Sequence, residues 1–248
     1  MKDISTNKPL ELDNKINDLF TNLPVEVETI MEFPSRGKFY KTALIKLRPV
    51  NFEDEKAMTI AKGQGTNALN ILLSRCLIGV DVSELLIMDK VAATYKLRSI
   101  SYGNEYKTVA ICDSCKAENE LNVPLDQLPM NQVAEDLKDP RKVILPVLKK
   151  EVIIRYPRVR DEDFLKDETS VFDNLWRFVE SVDGNSDKAM IAAFLKDSRL
   201  PLRDAHTILN EILGKDLGIQ TVIKFNCQTC NKANITNLPI SPDFFTMS

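Results

Sequence analysis

The sequence predicts an α+β fold with a discontinuous core: two β-prone segments, each carrying a Cys-x-x-Cys pair, separated by an inserted helical subdomain. Three observations predict it. The stretches around Cys112–Cys115 and Cys227–Cys230 repeat one another. Helical periodicity dominates the later part of the chain between them. The length, 248 residues, admits one large core or two modest ones.

The elements follow in order. Residues 1–24, rich in Lys, Asp, Asn and Thr, are expected to form a flexible N-terminal arm, with a short amphipathic helix over Asp13–Phe20. From Val25 to Phe33 apolar and charged residues alternate as in a half-buried strand. Pro34-Ser35-Arg36-Gly37 breaks it as a turn, and Lys38–Val50 is expected to be a second strand. Asn51 and Asp54 resemble a cap for a helix through Glu55–Ala61, ended by Gly63-Gln64-Gly65. Helices are expected at 67–78 and 89–98. In the first, Leu69, Leu72, Leu73, Cys76 and Leu77 share one face, which makes Cys76 a core thiol.

Ser101-Tyr102-Gly103-Asn104 turns the chain into the first cysteine pair. Beyond Pro124 and Leu128-Pro129 comes a helix or turn, then a β-prone stretch from Lys142 to Arg158. Asp161–Val182 carries Phe164, Leu165, Val171, Phe172, Leu175, Phe178, Val179 and Val182 and is expected to be helical. Asp183–Ser186 is a loop, and helices follow over 187–196 and 201–213, the last with Pro201 in its first turn. The expected domains are therefore the arm 1–24, an α+β core of 25–128 plus 217–248, and an inserted segment 129–216.

Composition narrows the function. Lys plus Arg number 33 against 36 Asp plus Glu, a net charge of −3, so the chain lacks the strong positive balance of a nucleic-acid-gripping protein. No apolar run approaches the roughly 20 residues of a membrane span, and the polar N-terminus has no signal-peptide core, so a soluble intracellular protein is expected. Eight Gly and a single His, His206, thin out the enzyme classes. Gly63-x-Gly65 lacks the third Gly and the basic residue of a phosphate loop. Asp161, Glu162 and Asp163 suit the start of a helix, and Lys149, Lys150, Arg155, Arg158 and Arg160 suit a solvated strand edge. No residue is nominated as catalytic, and no small-molecule substrate is expected.

The cysteines are the sharpest signal. Cys112 and Cys115, then Cys227 and Cys230, each follow a β-prone run (Thr108–Ile111, Thr221–Asn226) and precede a polar turn, a short strand and a Pro. That is the form of a zinc knuckle, whose turn amides face the thiolates. Four sulfurs are the complement of a structural four-cysteine zinc site, so the fold class is completed by a two-knuckle zinc-ribbon-like element. The 111 residues between Cys115 and Cys227 far exceed the about 15–20 of common ribbons. An insertion whose ends lie close together would reconcile them. Free thiols, and a redox pair at a helix N-terminus, stay open as other readings.

Glu32–Tyr40 combines a Pro turn, a Gly and three aromatics, Phe33, Phe39 and Tyr40. Arg36, Lys38, Phe39 and Tyr40 are expected either to dock a partner, as aromatic and Arg hot spots do, or to pack on the chain's own sheet.

Phe33-Pro34-Ser35-Arg36-Gly37-Lys38-Phe39-Tyr40, the following Leu47-Arg48-Pro49-Val50 with Glu53-Asp54-Glu55, Leu97-Arg98-Ser99-Ile100-Ser101-Tyr102-Gly103 before the first cysteine pair, and Pro239-Ile240-Ser241-Pro242-Asp243-Phe244-Phe245 after the second are together distinctive. On them the chain resembles the baseplate hub family of T4-type contractile-tailed bacteriophages, over roughly residues 25–128 and 217–246. The resemblance implies a nonenzymatic hub subunit or hub-assembly factor. Its partners would be other phage baseplate hub proteins, and it would act in the host cytoplasm during assembly or in the virion tail. Within that reading, Phe244 and Phe245 join the turn of Arg36 to Tyr40 as expected partner contacts. A zinc-ribbon accessory protein for nucleic acid is the rival reading. The knuckles offer it little, since Asp113, Glu118 and Glu120 offset Lys116 and Lys232.

Overall fold

The computed structural model describes residues 27–41, 45–63, 67–166, 168–214, 217–238, 240 and 242–245. The arm expected over 1–24, with its Asp13–Phe20 helix, lies outside them.

The chain mixes helix and strand. Three two-residue strands, β1 (Thr29–Ile30), β2 (Lys46–Leu47) and β3 (Leu77–Ile78), form an antiparallel sheet in the order β1-β2-β3. The strands expected over 25–33 and 38–50 are thus much shorter among the described residues. Between them the chain turns, with Arg36 at φ 57° and Gly37 at φ 68°, and the backbone of Ser35 bonds to the Asp89 carboxylate at 3.0 Å. Turn bonds within 33–40, Val133 N on Pro34 O and the Asp89 and Ser35 side chains satisfy the polar groups there.

Helix α1 (Phe52–Gly63) starts at Asn51, whose Oδ1 accepts from Asp54 N at 3.1 Å. The Asp54 carboxylate, fully buried, accepts in return from Asn51 N and pairs with Arg48 and Arg75. Helix α2 (Ala68–Cys76) is capped by Asn67 and ends where Leu77 enters β3, two residues earlier than periodicity suggests. Helix α3 (Ile87–Tyr102) runs through the centre, with Ala92, Ala93, Tyr95 and Leu97 all buried. A helix covered on several sides keeps no single apolar stripe, which is why only 89–98 is legible.

Two core clusters result among the described residues. One gathers Phe33, Leu47, Leu72, Leu73, Cys76, Tyr95, Leu97 and Val123 with Leu238, Phe244 and Phe245 from the far end of the chain. The other gathers Leu145, Val152, Ile154, Leu175, Phe178, Val179, Ile191, Ile208 and Ile212. The second lies on the antiparallel sheet β7 (Arg141–Ile144), β8 (Glu151–Ile154), β9 (Val179–Val182), covered by α4 (Glu168–Asn174), α5 (Lys188–Lys196) and α6 (Leu202–Leu213).

The long helix expected over 161–182 is a correction. That stretch holds a 3-10 turn (Val159–Phe164), α4, a second 3-10 turn (Leu175–Phe178) and then β9. Val179 pairs with Ile154 and Val182 with Val152, so the edge of β8 captures a Val-Glu-Ser-Val segment whose valines favour a strand. Helices 187–196 and 201–213 form within a residue of expectation. Asp187 caps α5 through bonds from Ala189 N and Met190 N, and Gly214 ends α6 at φ 54°.

The two ends of the 129–216 stretch are tied together. Strands β6 (Met130–Asn131) and β10 (Gly218–Ile219) pair antiparallel, and Gln220 N donates to Pro129 O at 2.7 Å. Gly218 sits at φ 91°, where an added Cβ would lie 3.3 Å from the Met88 side chain; only Gly suits such a position. Ion pairs from Arg158 and Arg160 to Glu84 and from Lys90 to Glu162, with Val159 N on Leu85 O at 2.8 Å, fasten the stretch to α3 and the residues before it.

Candidate metal centre

Two hairpins carry the cysteines. β4 (Glu105–Ile111) pairs with β5 (Glu118–Pro124), and β11 (Val222–Asn226) with β12 (Ala233–Asn237), both antiparallel. Each Cys-x-x-Cys makes the tip, and the two tips are built alike. Lys116 N donates to Cys112 O at 3.0 Å and Cys112 N to Ala117 O at 2.9 Å; Asn231 N donates to Cys227 O at 2.8 Å and Cys227 N to Lys232 O at 2.9 Å. Lys116 (φ 60°) and Asn231 (φ 57°) take the same left-handed conformation at the same step. A turn of this shape lifts the amides after the first cysteine toward its sulfur.

The four sulfurs meet. Cys112 Sγ lies 3.7 Å from Cys230 Sγ and Cys115 Sγ 3.5 Å from Cys227 Sγ, and all four lie within 4.8 Å of one another. Zn–S bonds of about 2.3 Å in a tetrahedron put sulfurs about 3.8 Å apart, so the donor set fits that ion closely. The separations are far beyond a disulfide's about 2 Å, and all four cysteines are free thiols. Cys112 and Cys227 are buried, Cys230 is half-buried and Cys115 exposed.

The electrostatics ask for a cation. The backbone N–H of Cys115 lowers the Cys112 thiol below its ordinary value. That of Cys230 brings Cys227 down to about 6. Although the Ala117 N–H lowers it, Cys115 is pushed up to about 12 by desolvation and by the neighbouring Cys227, Cys230 and Cys112 sulfurs. Four thiols this close ionise together only around a positive ion. Four thiolates would fill a tetrahedral ion's coordination and leave no position for a reacting water, so the chemistry such an ion supplies here is structural.

A second layer supports the sulfurs, and its role is not legible in the sequence. Asn119 Oδ1 accepts from Gln228 N at 2.8 Å, across to the other hairpin, and Asn234 Oδ1 accepts from Asp113 N at 3.0 Å in return. Each amide also braces its own turn, Asn119 Nδ2 on Ala117 O at 2.9 Å and Asn234 Nδ2 on Lys232 O at 2.7 Å. Both asparagines are buried. The signal that marks them is their place: each stands seven residues after the first cysteine of its pair.

The other nominated residues lie elsewhere. In the aromatic turn Arg36 and Lys38 are exposed, Phe39 and Tyr40 half-buried. Arg36 Nε bonds Val133 O at 3.2 Å and its guanidinium pairs with Glu135, while Lys38 Nζ bonds Glu135 O. The Tyr40 hydroxyl donates to Asp89 and accepts from Leu86 N at 2.9 Å. Burial, then the Asp89 carboxylate, hold the Tyr40 phenol well above its ordinary value.

Phe244 and Phe245 correct the expectation of a docking tail. Both rings are fully buried, packed edge-on with each other and against Tyr95 and Tyr102, and tilted against Tyr106. Arg98 Nε holds Phe244 O at 2.9 Å while its guanidinium lies over Tyr102 and Tyr106. Two adjacent large aromatic rings near a chain end complete the protein's own core when a groove lined with Tyr is waiting for them. His206 is exposed.

Residues 25–246 match the family model described as T4 bacteriophage base plate protein. No curated protein and no solved structure matches the chain.

Proposed function

The chain belongs to the T4 bacteriophage base plate protein family, and from that premise we propose that it is a baseplate hub component or a hub-assembly factor that works by protein–protein contacts without catalysis. The family match carries this reading: it spans 25–246, and so takes in both hairpins and everything between them. Its place of action is the host cytoplasm during assembly or the virion tail.

The clustered Cys112, Cys115, Cys227 and Cys230 support a structural zinc that staples the two hairpins. The two hydrophobic clusters support a division into a discontinuous core of 25–128 plus 217–248 and an inserted unit over 129–216. For partner contacts, Arg36, Lys38 and Phe39 keep accessible surface on the aromatic turn, while Tyr40 anchors that turn through Asp89. A hub partner docked there has a tethered Arg and an aromatic to grip.

Deletion of the gene in an infecting phage, with mass spectrometry of purified tails beside infected-cell lysate, tests the role. Protein present in tails identifies a subunit. Protein confined to the lysate, with hubs lost on deletion, identifies an assembly factor. Normal tails assembled without the protein contradict both.

A further inference from the structure

We infer that Asn119 and Asn234 are positioning residues of the four-sulfur centre, each closing the other repeat's knuckle so that the site stands in ligand-ready form before any metal binds. The inference rests on reading the cysteines as a metal site. The bonds are crosswise: Asn119 holds the amide of Gln228, next to Cys227, and Asn234 holds the amide of Asp113, next to Cys112. These are the first amides inside each turn, so fixing them fixes the direction of the neighbouring sulfur. No sulfur and no ion takes part in either bond.

The sequence repeat carries the same residues in both copies. Between 106–124 and 221–239 the identical positions are the two cysteines, this asparagine, Asn122 with Asn237 and Pro124 with Pro239; of the two asparagine pairs, only Asn119 and Asn234 are buried and bond across to the other hairpin. Across the repeat Asp113 corresponds to Gln228, Glu118 to Ala233 and Glu120 to Ile235; side chains have drifted freely, yet the asparagine stands in both copies. Its chemistry explains why. An amide offers an acceptor to the opposite turn and donors to its own, and a buried side chain bonded in both directions holds one orientation. Asn119 adds a longer contact to Ala110 O at 3.4 Å. The result is a two-fold exchange of bonds that joins segments 111 residues apart, at the point where two separate tips would otherwise have to find each other around the ion.

The test uses the full chain, first stripped of metal and then titrated with Co²⁺ against a competing chelator. Amide exchange in the stripped protein should show Gln228 and Asp113 protected. Asn119→Ala should release Gln228 and Asn234→Ala should release Asp113, each in the opposite hairpin. Asn119→Asp, which keeps the acceptor oxygen, should restore Gln228, and it carries the test should an alanine variant fail to fold. In the titration each alanine variant should bind Co²⁺ about 10–100-fold more weakly, the range for lost outer-layer partners, with the tetrahedral tetrathiolate spectrum intact at saturation. Free exchange of both amides in the stripped wild type, or wild-type Co²⁺ affinity in the alanine variants, overturns the inference. The crosswise amide pattern together with no Co²⁺ uptake by the wild type overturns the metal reading instead, and with it the positioning role.

Discussion

Asp89 shows how one residue outside a legible motif decides what the motif does. The Pro34–Tyr40 turn is conspicuous in the sequence, but its purpose lies 49 residues away from Tyr40: Ser35 N, Ser35 Oγ and the Tyr40 hydroxyl all donate to the buried Asp89 carboxylate. Burial raises that carboxyl to about 6, against the lowering pull of Ser35, Tyr40 and Arg158. A carboxyl raised on folding contributes its full stability below its unfolded value near 4 and loses it as pH rises through about 6. Asp89→Asn, neutral throughout, should therefore gain on the wild type by on the order of 2–3 kcal/mol between about pH 4 and about pH 7, read as the difference in urea midpoints. A flat difference would remove Asp89 as the titrating group. Asp54 works in the opposite sense: although it is buried, Arg48, the Asn51 amide and Arg75 hold it well below the ordinary range, so its contribution is lost as pH falls below about 4. Phe244→Ala should cost about 3–5 kcal/mol, as loss of a fully buried ring does, in the same urea titrations; a near-neutral result would return that ring to the surface.

At the scale of elements, what is legible depends on whether local pattern and tertiary partner agree. Both hairpins, α5 and α6 form where β-prone runs or a 3.6 period mark them; in α6 the apolar stripe is the buried face, through Ile208 and Ile212, whereas the hairpins follow local strand preference although Val109, Ile111, Val222 and Ile235 stay exposed. Val179–Val182 fails that test. Its valines satisfy a helical stripe with Phe164 and Leu175, and the decision for a strand comes from β8, which is remote in sequence. The short β1 and β2 fail for another reason, since the alternation of 25–33 is real but the aromatic turn diverts the backbone. The closure of the insertion by β6 and β10 is foreseeable only as a need, not as a place, because two-residue strands carry no period. Gly218 is the residue on which that closure turns. Gly218→Ala should destabilise the protein by about 1–2 kcal/mol through its φ of 91° and the Met88 contact, measured by chemical unfolding. Unchanged stability would show that the pair adjusts freely.

On the scale of the whole molecule, the chain is a closed circuit: the β6–β10 pair, the asparagine exchange and the four sulfurs each join its earlier part to residues 218–234. The cysteines, their repeat and the expectation that the two pairs meet are legible from the sequence; the contacts that bring them together across 111 intervening residues are not. A protein that must hold its shape while neighbours assemble on it gains from such closure, and a bound zinc can contribute ~10 kcal/mol or more to it. Removing Cys112 or Cys227 should then impair folding and tail assembly together, whereas Cys76→Ala, at a buried thiol outside the centre that hydrogen-bonds Asp54, should leave metal content unchanged. Elemental analysis of protein purified without chelator, paired with thermal unfolding of Cys112→Ser, tests whether a zinc staples the two hairpins. One zinc per chain is expected in the wild type, with little in the variant and a large fall in its unfolding temperature; metal-free wild type with an equally stable variant would rule the staple out.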